Sequence, residues 1–235
     1  GNESDYSSNV SATPFNGAIP VPEGRRLRTI IADLFPNHPY LIGSAGHDQD
    51  LAGNHGELLK REVGYVTPAN DFKQSHIYPY LGSDIDHSEG ETWNTFINNN
   101  DQILRIHGGA FPQASTWAKE DARTSSELDE VLTTYLTELY SHWEGNPRFT
   151  HIDVVNETVE QNGSWRKDKS GTDQWELPWY KIGTNANNYP LYLAKAFSLA
   201  AQHAPSMKYI YNEAYGPEYT NTWNKIKTTI INHLR

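Results

Sequence analysis

From Arg25 onward, short apolar runs alternate with amphipathic stretches, and this alternation limits the possible folds more tightly than any single motif. Leu27, Ile30, Ile31 and Leu34 recur at helical spacing, and Tyr40 to Ala45, after Pro39, reads as a buried strand. A helix is expected over about Gly56 to Glu62, then a strand from Gly64 to Thr67 halted at Pro68. A helix over about Glu91 to Asn99 precedes a strand from Gln102 to Ile106. The strongest helix begins near Ser126, with Asp129 placed as in a capping box. It carries Leu128, Val131, Leu132, Tyr135, Leu136, Leu139 and Trp143 on one stripe and ends at Gly145 and Pro147. Strand His151 to Val155, a long polar loop, helix Leu191 to Gln202, strand Lys208 to Tyr211 and a helix from about Thr222 follow.

Strand, helix, strand, helix implies a parallel sheet with right-handed crossovers. Five such units fill nearly all of the 235 residues, whereas a closed (β/α)8 barrel takes about 250. The expectation is therefore an α/β fold of TIM-barrel type, truncated after its fifth unit, over residues 25–235. Residues 1–24, rich in Ser, Asn, Gly and Pro, read as an irregular leader. An unclosed barrel leaves its first and fifth strands with unpaired edges, so a missing C-terminal segment, a partner chain or an unusual closure is expected to cover them.

Composition excludes several classes. The chain has no cysteine, so disulfide scaffolds and thiolate metal sites are ruled out. Nineteen basic against twenty-nine acidic side chains give a charge of -10, the wrong sign for nucleic acid. No apolar run nears the roughly 20 residues that span a bilayer, so no membrane span is expected. Seven Trp and fourteen Tyr suit the face of a sugar ring, and equally a protein core. The Asp84, Asp86, His87, Glu89 stretch lacks any recognised ligand spacing and reads as a solvated loop. No metal or cofactor is expected. Asn9-Val10-Ser11 and Asn162-Gly163-Ser164 fit the glycosylation pattern, which arises often by chance.

In parallel α/β folds the reactive groups gather where strands end at their carboxyl edge. Here the second strand exits into Thr67-Pro68-Ala69-Asn70-Asp71-Phe72-Lys73, the third into His107-Gly108-Gly109, the fourth into Asn156-Glu157 and the fifth into Asn212-Glu213. Glu157 follows an apolar run and should sit at the rim of the core, where a half-dry carboxyl group keeps its proton. A general acid that protonates a departing sugar oxygen needs this, with a second carboxylate roughly 5 to 5.5 Å away as nucleophile in a retaining enzyme. Spacing alone does not separate that role from an ordinary loop glutamate.

Asp153-Val154-Val155-Asn156-Glu157 resembles the segment bearing the acid/base Glu of glycoside hydrolase family 10, the xylanase family. Leu41 to Ala45, Val66 to Asn70 with Lys73, Pro178 to Gly183, and Tyr209 to Tyr215 agree with it in order, from about Leu27 to Arg235. The resemblance implies a (β/α)8 barrel, retaining endo-hydrolysis of β-1,4-xylan or a related polysaccharide, and a secreted, periplasmic or cell-surface location. Glu157 takes the acid/base role, Asn156 binds the sugar's 2-hydroxyl, and Asn70 and Lys73 contact sugars on the non-reducing side. His107, Trp117, Asn212, Glu213 and Tyr215 are the remaining candidate substrate contacts. Glu213 stands where the family has Asp and also reads as a carboxylate that orients its neighbours.

Departures from the family pattern are equally specific. The family has Glu at the place of Ala69 and Trp at that of Gln74, and Ala110-Phe111-Pro112-Gln113 replaces a Trp-His-Ser-Gln stretch. No residue matches the family's nucleophilic Glu, which comes from a seventh strand. Two rival expectations follow: an incomplete barrel that binds glycans without turnover, and a glycosidase for another β-linked glycan.

Overall fold

The computed structural model of the protein describes residues 24–37, 40–120 and 122–234. The expected leader, apart from Gly24, and the Asn9 tripeptide lie outside the described residues. Strands β1 (Gly43–Gly46), β2 (Tyr65–Pro68), β3 (Ile103–Ile106), β4 (Phe149–Asn156) and β5 (Lys208–Asn212) form one parallel sheet in sequence order. Eight helices accompany them among the described residues: α1 (Leu27–Leu34), α2 (Asn54–Glu62), α3 (Gln74–Ile77), α4 (Ser88–Asn99), α5 (Thr116–Lys119), α6 (Ser125–Trp143), α7 (Leu191–His203) and α8 (Thr220–His233). None of them is long and apolar enough to cross a membrane.

Side chains alternate across a strand, which gives the sheet two chemically different faces. Val66, Leu104, Ile106, Ile152 and Val154 are fully buried on the face that the helices cover. Helix α6 packs there through Leu128, Leu132, Tyr135, Leu136 and Leu139, each fully buried, a contribution of about 1.5–3 kcal/mol per large apolar side chain. Trp143 at its end stacks on Phe149 at 4.3 Å and meets Phe72 edge-on at 5.6 Å. The opposite face is polar: Tyr65 meets His151 edge-on at 5.3 Å, and Arg105 bonds Asp153.

Three expectations need correction. The first strand begins at Gly43, and Tyr40 and Leu41 are 60% and 50% exposed rather than buried. Strand β1 pairs only with β2, so no strand among the described residues pairs with its other edge. Helix α6 is capped two residues earlier than Ser126 and Asp129: Glu127 N donates to Thr124 Oγ1 at 3.3 Å, and Glu127 Oε2 accepts from Thr124 N at 2.8 Å. Thr124-Ser125-Ser126-Glu127 supplies the longer carboxylate that reaches back to the backbone, while Asp129 takes an ion pair from Lys195 on α7. Strand β4 runs eight residues, starting at Phe149 and including Asn156.

The third strand must leave the sheet close to β4, and Gly109 makes this possible. Its φ of +121° is open to glycine, and a Cβ there would lie 2.5 Å from the Val154 carbonyl oxygen. Ala110 then bridges to Val155 in parallel, which delivers His107 and Gln113 to the rim of the sheet.

Candidate active site

The carboxyl ends of five parallel strands share one edge, and the polar residues that follow β2, β3, β4 and β5 meet there. Lys73 Nζ donates to Asn70 Oδ1 at 2.8 Å and to Gln113 Oε1 at 3.1 Å. Burial lowers the pKa of Lys73, and the Glu157 carboxylate nearby opposes that shift. These two side chains, from the β2 and β4 exits, thus face one field. Gln113, on the loop after β3 with φ +59°, is a member of this cluster that its residue type alone does not reveal.

Glu157 is half-buried immediately beyond β4, with φ +50°. A non-glycine residue in the left-handed region costs of order 1–3 kcal/mol and persists only when its surroundings hold it. Two bonds do so here. Glu157 N donates to the Asn212 carbonyl at 3.0 Å, and Arg166 Nε donates to the Glu157 carbonyl at 2.7 Å. Arg166 is buried and is itself fixed by Nη1 donating to the Trp175 carbonyl at 2.9 Å.

Asn156 and Asn212 are register partners on β4 and β5, and Asn212 Nδ2 donates to Asn156 Oδ1 at 2.7 Å. That bond fixes the Asn156 amide orientation with its NH2 group turned away from Asn212. Glu213, one residue farther, accepts through Oε1 from Thr158 N at 2.7 Å and Thr158 Oγ1 at 2.5 Å. Burial pushes its pKa up to about 7, against the opposing bonds from Thr158 and the more distant Arg166. Its Oε2 is buried without a partner.

His107 lies at the end of β3, and its Nδ1 is 2.6 Å from Asp153 Oδ2. Asp153 is fully buried, and its Oδ1 accepts from Arg105 Nε at 2.8 Å. The carboxylate holds the His107 ring by one nitrogen and leaves Nε2 for other partners. Neither Asp153 nor Arg105 stands out as functional by motif. Their signal is a charged residue in each of two adjacent apolar strand runs, which implies that they pair.

Trp117 and Tyr215 do not join this cluster. The Trp117 indole N–H donates to the Tyr78 carbonyl at 3.0 Å, with Arg123 over its ring at 5.7 Å. Tyr215 packs edge-on against Tyr219 at 5.1 Å, in the loop leading to α8. In the loop after Glu157, Trp165 and Trp179 turn inward while Trp175 is exposed. Trp165, Gln161, Ser164 and Lys167 line an open cleft of about 780 Å³ there. Gln74, at the place of the expected Trp, is buried and accepts from Ser115 N at 2.6 Å, so it braces the loop after β3.

The solvated-loop reading of Asp84 to Glu89 holds for Asp84 and Asp86, which are exposed, but not for His87. The His87 side chain is only 10% exposed because its ring packs between His142 and Trp143.

Comparison with known proteins follows the same outline. The family model described as glycosyl hydrolase family 10 matches residues 30–235. Endo-1,4-beta-xylanase A of Humicola insolens is 24% identical over 225 residues, 95% of this chain and 50% of its own length. Endo-1,4-beta-xylanase B of Thermotoga neapolitana is 28% identical over 186 residues, 78% of this chain and 48% of its own. Among solved structures, xylanase 10B of Thermotoga petrophila RKU-1, in complex with xylobiose, superposes with a TM-score of 0.66 at 26% identity, over 88% of this chain and 59% of that one. A GH10 endoxylanase from a sugarcane soil metagenome gives 0.71 at 24% identity, over 89% and 58%. The chain spans about half the length of these curated relatives.

Proposed function

Because the chain belongs to glycosyl hydrolase family 10, we propose that it supplies the acid/base half of a retaining glycosidase acting on a β-1,4-linked polysaccharide of the xylan type. The supporting observation is the convergence at one sheet edge of Glu157, held in a left-handed turn by Arg166 and Asn212, with the Lys73–Asn70–Gln113 cluster. In the first step protonated Glu157 gives its proton to the glycosidic oxygen as the bond to the anomeric carbon breaks. In the second it takes a proton from the incoming water. Asn156 offers its amide N–H to the 2-hydroxyl, Asn70 and Lys73 hold sugars on the non-reducing side, and His107 Nε2 faces the reacting ring. A polysaccharide too large to enter the cell fits a secreted, periplasmic or cell-surface enzyme.

Double displacement needs a second, ionised carboxylate. Glu213 does not suit that role: its Oε1 is taken by Thr158, and burial keeps its proton on up to about pH 7. In this reading the nucleophile comes from beyond the 235 residues. The test is reducing-sugar release from xylan by the full gene product. Glu157→Ala should lower turnover about 10²–10⁴-fold, with far less loss on an aryl xyloside whose leaving group needs no proton. Equal loss on both substrates, or none on xylan, would reject the acid/base role. Oligosaccharide binding with no turnover by the unsubstituted protein would favour a glycan-binding barrel, and release from another β-glycan alone would reassign the substrate.

A further inference from the structure

Away from the strand ends, α4 and α6 run side by side on the outside of the sheet, and a group of metal-ligating side chains joins them. His87 stands immediately before α4, while Glu138 and His142 lie one turn apart on α6, a spacing that puts both on one helix face. One ligand atom from each of the three lies within 4.8 Å of the others. His87 Nε2 is 3.9 Å from Glu138 Oε1, and the two imidazoles stack at 3.6 Å between centroids. On α4 itself, Glu91 Oε1 is 3.3 Å from His142 Nε2.

His87 is the observation that calls for a ligand. Its side chain is nine-tenths buried, and neither ring nitrogen has a hydrogen-bond partner. A buried polar group left unbonded costs about 1–3 kcal/mol, and an imidazole aimed at a carboxylate and a second imidazole is relieved by a cation between them.

We propose that His87, Glu138 and His142, with Glu91 as the fourth donor, form a zinc site that clips α4 to α6. Imidazole nitrogen and carboxylate oxygen are both zinc ligands, and two of each fill its four-coordinate shell, unlike the all-oxygen shells of calcium and magnesium. Stacked rings present their lone pairs side by side, so ligation turns the His142 ring, about one-third exposed, out of the stack toward the ion. The clip would tie the segment that leads from the Lys73 loop to the longest helix of the fold. A neighbouring group, Asp71, His76 and Glu89, does not make the same case. The Asp71 carboxylate already accepts from Trp93 Nε1 at 2.5 Å and Asp48 N at 2.9 Å.

The experiment is calorimetric titration of the chelator-treated protein with zinc chloride near neutral pH, alongside thermal unfolding with and without zinc. One zinc per chain is expected at this site, with a rise in Tm that grows with free zinc. Cobalt(II) in its place should show the intense visible bands of four-coordinate geometry. Glu138→Gln and His142→Ala should each weaken binding by more than the ~10-fold that loss of an outer-shell partner already costs, and His76→Ala should leave it unchanged. His87→Ala removes packing beside Trp143 and can cost stability by itself, so the two variants on the outer side of α6 decide the question. Absence of saturable binding, unchanged affinity in both α6 variants, or loss of binding in His76→Ala alone would each overturn the proposal.

Discussion

Two carboxyl groups on neighbouring strands, Asp153 within β4 and the half-buried Glu213 just past β5, are treated by the chain in opposite ways. Asp153 on β4 is fully buried between the cationic group of Arg105 and the ring of His107, with contacts of 2.6 Å to each. Glu213, just beyond β5, meets only the neutral amide and hydroxyl of Thr158, and Arg166 acts on it from farther away. Burial without a contacting cation leaves the proton as the cheaper counter-charge, which is why the Glu213 pKa climbs to about 7. The first carboxylate is a fixed anchor that orients a histidine toward the rim. The second is a titrating group within the field of Glu157.

The largest effect should come from breaking the anchor. Asp153→Asn keeps the shape of the side chain but removes the charge that Arg105 faces, and breaking a buried pair by removing one partner costs about 3–5 kcal/mol. Urea unfolding should show that loss, with Arg105→Met in the same background recovering part of it. An Asp153→Asn midpoint equal to that of the unsubstituted protein would mean that the pair is not a buried anchor. His107 then faces a neutral amide in place of the carboxylate, so under the proposed function the xylan turnover of the full gene product should fall as well.

The second prediction turns on the sign of the Glu213 shift. Its pKa is about 7 in the folded protein against 4.5 for the free group, so the folded state binds more protons than the unfolded state between those values. Stability therefore falls as pH rises through that window, by about 3 kcal/mol in all for a shift of this size. Below pH 4.5 both states are protonated and the penalty vanishes. Glu213→Gln keeps the acceptor for Thr158 and removes the titration, so the difference in unfolding free energy between the two proteins should change by about that amount from pH 4.5 to 7. A pH-independent difference would show that Glu213 ionises normally and that the two carboxyl groups are not opposites.

How far the sequence foretold this arrangement depends on the range of the interactions involved. Alternating apolar runs and helical stripes placed β2 to β5 and the longer helices, because each pattern repeats over several residues, whereas the apolar run from Tyr40 to Ile42 lies just ahead of β1. The short α3 and α5 have too few residues to carry a period, and the α6 cap went to Thr124 because Glu127 reaches farther back than Asp129. Polar residues after β2, β3, β4 and β5 marked Asn70, Lys73, His107, Asn156, Glu157, Asn212 and Glu213 as strand-end groups, and they gather at one edge. Contacts between distant segments left no such trace. The Arg166 hold on the Glu157 backbone, the Arg105–Asp153–His107 pairing and the burial of His87 against α6 appear only when separate strands and helices are laid together. The edge-on contacts of Trp117 with Tyr78 and of Tyr215 with Tyr219 are of the same kind: a local motif does not show them.

The finest test of the contrast is Thr158. Its hydroxyl has one proton, so a bond donated to Glu213 at 2.5 Å leaves it to accept from the Tyr211 hydroxyl, also at 2.5 Å. Donation to a carboxylate favours the charged form, and this bond is the largest influence that holds the Glu213 pKa down. Thr158→Val preserves the shape of the branch and the backbone N–H while removing that donor. The Glu213 titration should then move up by roughly one unit, equivalent to about 1.4 kcal/mol, as read from carbon-13 shifts of the carboxyl group between pH 5 and 9. A downward move would mean that the hydroxyl accepts from a protonated Glu213 rather than donating to it. The neutral form would then be the one the site is built to hold, and the opposition between the two buried carboxyl groups would be sharper than these contacts imply.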